Sequence, residues 1–396
     1  MDAAAQVDAL LLLTSGALVF VVVPGFALLY GGMISSAGAA SAMRATFIGV
    51  GIAGVLFVIG GYGMLFGAPL VPGIVGVPGT VPDDQFALAR ACYAGAVCVL
   101  AVTIVASAVA PRVTVRGWAV FAAIWVTVVY FPAGFAVFNL MDGWATATLG
   151  VIDFGGAIPV SIAAAAGAAG VLLVCGRQPA HEVRTRRNVP VMAVGGALVW
   201  FGWFGLTIGS EGAVDGFTAL IWINTLTASA ASTIAWVTVD RIMMRRPTVT
   251  SAVCGAVAGL IAITPASGII TTGWSLLLGA LSGIACAVIV DVAARAQFGT
   301  PMVVVVIHLV GSLVGLLFIG LFANGTGMVY SGNFDQLGVQ ALAALIVALW
   351  SFLVSWGAAA LIQRTIGLTA TTHVSWREDV PAESSADEAE QDQTRR

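Results

Sequence analysis

The chain has 396 residues, a formal net charge of −3, and only 9% charged against 59% hydrophobic residues. Soluble domains carry about a quarter charged residues, so an ordinary soluble enzyme is excluded, and no basic excess offers a surface to nucleic acid. What remains is a protein whose solvent is lipid.

Apolar runs of roughly twenty residues, each long enough to cross a bilayer, recur from end to end. There are eleven: Leu10–Met33, Ala45–Phe66, Ala87–Ala110, Trp118–Phe138, Ile158–Cys175, Val189–Ile208, Phe217–Val239, Ser251–Ile263, Ser275–Ala294, Met302–Phe322 and Leu337–Leu361. The eighth is the shortest. The expected fold class is an all-α polytopic membrane protein.

The charges between the runs orient it. There is no Lys, and Arg falls at Arg44, Arg112, Arg116, Arg177 to Arg187, Arg241 to Arg246, Arg295 and from Arg364 on. These are alternate loops plus the C-terminus, cytoplasmic by the positive-inside rule. The other loops carry Asp83, Asp84, Asp142, Glu211, Asp215 and Asp335, with Arg90 the basic exception. Eleven spans then put the N-terminus outside a cell membrane. The chain starts with Asp2 and Asp8 and no basic n-region, so no signal peptide is expected. The five cysteines lie in or at the ends of spans, without metal-ligand spacing, and read as small apolar packers. The 48 Gly spread through the spans allow close helix approach.

Eleven spans divide as five plus five plus one, and because five is odd the two halves have opposite topologies, an inverted repeat. Overlaying Val160–Gly167 of span five on His308–Gly315 of span ten matches Gly167 with Gly315 and Val160 with His308. Residues 1–364 are read as the membrane domain. Residues 365–396, with Glu378 to Asp392 rich in acids, Ser and Ala, are read as a disordered cytoplasmic tail. A regulatory cytoplasmic protein binding that tail and a tail without function remain alternatives.

His308 is the only His inside any span. An ionisable group in hydrocarbon is costly and usually faces a protein interior or a pore. Imidazole titrates near neutrality and can take or relay a proton. A histidine simply satisfied within the bundle is the alternative.

Span one reads Val23-Pro-Gly-Phe-Ala-Leu-Leu-Tyr-Gly-Gly-Met33 and resembles the opening signature of the ammonium transporter family (Amt, Mep and Rh proteins). Five further motifs follow in order. They are Asp153-Phe-Gly-Gly156, Gly202-Trp-Phe-Gly205 with Gly209-Ser210, Asn224-Thr225, Thr264-Pro-Ala-Ser-Gly268, and His308 with Gly315, Gly320 and Phe322. The resemblance implies an eleven-helix homotrimer with a narrow pore in each subunit, carrying ammonium or ammonia past a stacked histidine pair. It implies no cofactor, no metal and no catalysis.

The pore departs from the family's pattern. The first pore histidine aligns with Val160, with Ser161 one register away, while the second is kept as His308. The gating phenylalanine pair aligns with Val97 and Leu206. At the outer cation site the tryptophan aligns with Phe138 and the serine is kept as Ser210, with Asp153 nearby. Asp153 is read mainly as a cap of span five, using the helix dipole. Phe is a poorer cation–π partner than Trp, so weaker cation capture is expected. An ammonium/ammonia channel with an atypical pore is therefore expected. A pore for another small neutral molecule, and a non-conducting sensor or partner protein, are the rival readings.

Overall fold

The computed structural model describes residues 3–176, 187–243, 246–296 and 298–370. Among them, ten helices are long and apolar enough to cross a membrane. Spans one to seven are Ala3–Ile34, Ser36–Phe66, Gln85–Arg112, Val115–Phe138, Ile158–Cys175, Val189–Gly209 and Thr218–Ile242. Spans nine to eleven are Thr272–Arg295, Pro301–Phe322 and Asp335–Thr365, and the short span eight is Val249–Ile263. The eleven helices of the sequence reading are therefore present, mostly longer than the apolar runs that mark them. Hydropathy marks only the part that suits lipid; the helix continues to its cap. Span three, for example, starts where the Asp84 carboxylate accepts from the amides of Phe86 and Ala87, at 3.1 and 3.0 Å.

Spans one and six cross at the centre of the bundle. The crossing is made by a glycine stripe on span six: Gly195, Gly202, Gly205 and Gly209. A Cβ at Gly195 would overlap the Leu29 backbone nitrogen, and one at Gly205 the Leu18 side chain. Without side chains on that stripe the two backbones come into direct contact, as membrane helices do where residues are small.

Spans two, four and five each contain a π-helical turn, at Phe57–Gly61, Val126–Tyr130 and Ile158–Ile162. In span five the turn includes Pro159, which brings no backbone N–H to the ladder. A π turn inserts an extra residue into the helical count, and such turns cluster at functional sites.

Between spans four and five the chain folds over one end of the bundle. Span eleven holds it through the fully buried Gln340. The side-chain oxygen of Gln340 accepts from the Ile152 amide at 3.0 Å, and its NH2 donates to the Ile152 carbonyl at 2.6 Å. The Phe154 amide donates to the Pro265 carbonyl at 3.1 Å, tying the same loop to the broken end of span eight.

The acidic run Glu378–Asp392 lies outside the described residues. Past Thr365 the described chain is held down. The Gln363 side-chain oxygen accepts from the amides of Leu368 and Thr369, both at 2.8 Å. The Thr114 amide donates to the Leu368 carbonyl at 2.7 Å, and the Ala370 amide to the Arg112 carbonyl at 3.0 Å.

Candidate pore and vestibules

Two vestibules open at opposite ends of span five. The first, about 550 Å³, is lined by Asp153 and its loop, by Arg90, Tyr93 and Val97 of span three, by Tyr130 and Phe138 of span four, and by Ser210 and Glu211 after span six. The second, about 360 Å³, is lined by Arg112, by Ala169, Leu172 and Leu173 late in span five, and by Met302 and Phe352. There the Arg112 guanidinium donates to the carbonyls of Cys175, at 3.2 Å, and Gly176, closing the C-terminus of span five.

Asp153 is buried and caps span five as its position foretells. Its two carboxylate oxygens accept from the amides of Ala157 and Ile158, each at 2.7 Å. Burial raises its pKa from the ordinary 3.8 to about 6, and the amide hydrogen bonds offset only part of that rise. Because the folded protein holds this proton more tightly than the unfolded chain does, the linked stability is fully present below 3.8 and is lost as pH rises through about 6. Purified protein should therefore show a thermal midpoint that falls across that window. Asp153→Asn should flatten the fall, and an unchanged slope in the variant would place the titration elsewhere.

Glu211 sits at the rim of the same vestibule, its carboxyl raised by partial burial and by the neighbouring Asp215. Arg90 lies in the lining of the same vestibule. Its guanidinium carbon lies 5.2 Å from the centre of the Phe66 ring, a cation–π contact.

Ser210 follows the last residue of span six, and its hydroxyl donates to the Leu206 carbonyl at 2.7 Å. Tyr93 joins it. The phenol oxygen lies 2.6 Å from the same carbonyl and 2.9 Å from Ser210 Oγ. Phe138 lies beside them in the lining, and the side chains of Val97 and Leu206 are buried, at 3% and 1% exposure. Tyr93 was not among the residues singled out from sequence. Its position four before Val97, on the same helix face, is the signal that could have found it.

His308 lies between the vestibules, in the lining of neither. It is fully buried, and Nδ1 is 3.4 Å from Ser161 Oγ. Ser161, the residue one register from the aligned Val160, is thus the one whose side chain reaches His308, and both lie in the π turn at Ile158–Ile162. Val160 is buried one position away.

The other face of His308 is aromatic. The Phe26 ring meets it edge-on, with centroids 5.1 Å apart, and the Tyr30 ring lies at 6.1 Å. Trp203 stands across Phe26 at 5.9 Å and donates from Nε1 to Thr264 Oγ1 at 3.0 Å. His308 Nε2, Tyr30 Oη and Ser312 Oγ are buried without hydrogen-bond partners. From Ser161 to Ala169, where the second vestibule begins, span five advances roughly 12 Å through buried small residues.

The Asn224-Thr225 motif proves to be scaffolding. The Asn224 side-chain NH2 donates to the carbonyls of Ser267 and Ile270, at 2.8 and 2.9 Å, bracing the loop that ends span eight. Thr225 Oγ1 donates to Thr207 Oγ1 at 2.9 Å, joining spans six and seven.

A helical bundle with one vestibule at each end and a buried, partly unsatisfied histidine between them defines a polytopic membrane protein of the channel-like class. A model of the Ammonium Transporter Family matches residues 10–386, and the chain belongs to that family. It is 32% identical over 412 residues to an ammonium transporter of Mycobacterium bovis, covering 91% of this chain and 85% of that one. The crystal structure of Candida albicans Mep2 is similar at a TM-score of 0.82 and 26% identity, over 91% of this chain and 85% of the other. A sensor Amt protein shares the fold at a TM-score of 0.84 and 23% identity, over 96% and 98% of the two chains.

Proposed function

We propose that the protein carries ammonium across a cell membrane by capturing the cation, removing a proton, and passing neutral ammonia through each subunit of a homotrimer. The supporting observation is the buried His308–Ser161 contact, with Nε2 unpartnered, set between two vestibules. The Asp153 vestibule is the external one, because the Arg-bearing loops belong at the opposite, cytoplasmic face. At its floor Ser210 and Phe138 receive the cation, with Asp153 and Glu211 supplying negative field.

Desolvation requires the proton to leave. Moving a small ion from water into a medium like the buried stretch below Val97 and Leu206 costs on the order of 20 kcal/mol by Born estimates. Neutral ammonia avoids that cost. His308 carries the one imidazole among the described residues and is buried in this stretch, and Ser161 orients its ring. The proton taken from the cation goes onto the unpartnered His308 Nε2 and is given back to water at a vestibule once the ammonia has passed, with one imidazole beside a hydroxyl in place of two imidazoles.

Liposomes containing the purified protein should take up methylammonium with saturation, and cells lacking their own ammonium transporters should grow on low ammonium when they express it. No uptake by well-inserted protein would overturn the reading. Arg90 in the external vestibule favours a second one, passage of a neutral molecule without cation capture. In that case flux is indifferent to membrane potential and carries no current, and ammonium does not saturate it.

A further inference from the structure

Span eleven grips spans four and five at their π turns. Its buried residues Gln340, Ala344, Val347, Ser351 and Ser355 recur every three or four positions and so lie on one face. From that face the fully buried Ser351 donates its hydroxyl to the Ala163 carbonyl at 2.6 Å. Ala163 is the residue whose amide closes the π turn of span five on the Ile158 carbonyl. One position earlier, the Trp350 indole donates to the Val128 carbonyl at 3.1 Å, inside the π turn of span four. The short serine arm reaches a helix carbonyl because the backbones of spans five and eleven touch. A Cβ at Gly170 would stand 2.6 Å from the Phe352 carbonyl oxygen.

An ordinary helix closes each amide on the fourth residue back, and π turns are rare exceptions to that rule. If the turn of span five closed in the ordinary way, one residue would be drawn through it. The side chains beyond would rotate by about 100°. Val160 or Ile162 would then face His308 in place of Ser161, and neither carries a hydroxyl. We propose that Ser351 is a positioning residue whose hydroxyl holds the Ala163 carbonyl, so that the π turn persists and Ser161 Oγ stays against His308 Nδ1. This rests on the transport reading above, in which His308 takes the proton, and adds what fixes the hydroxyl beside the ring. Ser351 lines neither vestibule, so it acts through span five.

The test uses the full chain in liposomes, with uptake expressed per inserted protein. Ser351→Ala should lower the maximal rate of methylammonium uptake about fivefold, the effect of losing one neutral hydrogen bond. KM should stay within about twofold, because the capture groups lie in the Asp153 vestibule. The deciding variant is the double one. A residue that acts through Ser161 adds nothing once Ser161 is gone, so Ser161→Ala with Ser351→Ala should transport as Ser161→Ala alone does. Independent effects would instead multiply, to about 25-fold. A multiplied loss, a raised KM at an unchanged maximal rate, or a wild-type rate in Ser351→Ala overturns the proposal. A Ser351→Ala chain that does not insert also overturns it, since the hydroxyl then serves assembly and not placement. Wild-type protein that takes up no methylammonium overturns the transport reading, and this role with it, before any variant is made.

Discussion

Replacing His308 with Ala should lower ammonium uptake by about a hundredfold, the low end of what a positioned acid–base group contributes, while leaving assembled protein in the membrane. The change removes the one imidazole in the bundle and leaves Ser161 Oγ without the Nδ1 partner now 3.4 Å away. It also opens a cavity against Phe26 and Tyr30, whose rings pack on His308. A cavity of that kind costs stability, about 2 kcal/mol or more for a large-to-small change, so a second variant separates packing from chemistry. His308→Gln fills much of the volume and keeps a hydrogen bond to Ser161, but it cannot titrate. Uptake should remain at the level of the Ala variant. Ser161→Ala should cost only a few-fold, since a long hydrogen bond that orients the ring is worth roughly 1 kcal/mol. Uptake by His308→Gln equal to that of the wild type would show that the proton leaves the cation elsewhere.

Gly195→Ala should remove most of the folded protein from the membrane. The added methyl group overlaps the Leu29 backbone nitrogen and approaches the Gly25 carbonyl and the Leu28 carbonyl carbon. Those atoms belong to span one and have no rotamer to change, so the helix must move as a body. Overpacking a core costs about 1–3 kcal/mol when side chains can give way, and a backbone contact puts this site at or beyond the top of that range. Span one carries Phe26 and Tyr30, so the protein that survives should also transport poorly. Monodisperse yield after detergent extraction is the measurement. Gly273→Ala, where nothing lies within 4 Å of the new atom, is the control and should match the wild type. Equal yields of the two variants would mean that spans one and six do not cross as closely as described.

The parts of the site that follow from local chemistry were legible in the chain. Asp153 precedes an apolar run and caps it. His308 stands out because an imidazole in hydrocarbon requires a reason. Tyr93 was legible only through its place four before Val97, because its partner Ser210 is 117 residues away and hydropathy does not distinguish a phenol that faces lipid from one that faces a vestibule. Which of Val160 and Ser161 reaches His308 was not legible for a related reason: a π turn leaves no signature in hydropathy, yet it changes which side chains face inward, and here Ser161 makes the contact.

The sequence by itself determined the number of membrane helices, the acidic and basic character of alternate loops, the end caps, and the presence of one titratable ring in the apolar interior. Each of these depends on a residue and its near neighbours, through transfer free energy or a local hydrogen bond. Tertiary structure alone decided which hydroxyl faces His308, that Tyr93 and Ser210 share the Leu206 carbonyl, and that the stripe Gly195, Gly202, Gly205 and Gly209, not the other glycines of span six, faces span one. Those outcomes depend on helix rotation and on contacts between distant segments, to which the energy of burying an apolar side chain is nearly indifferent.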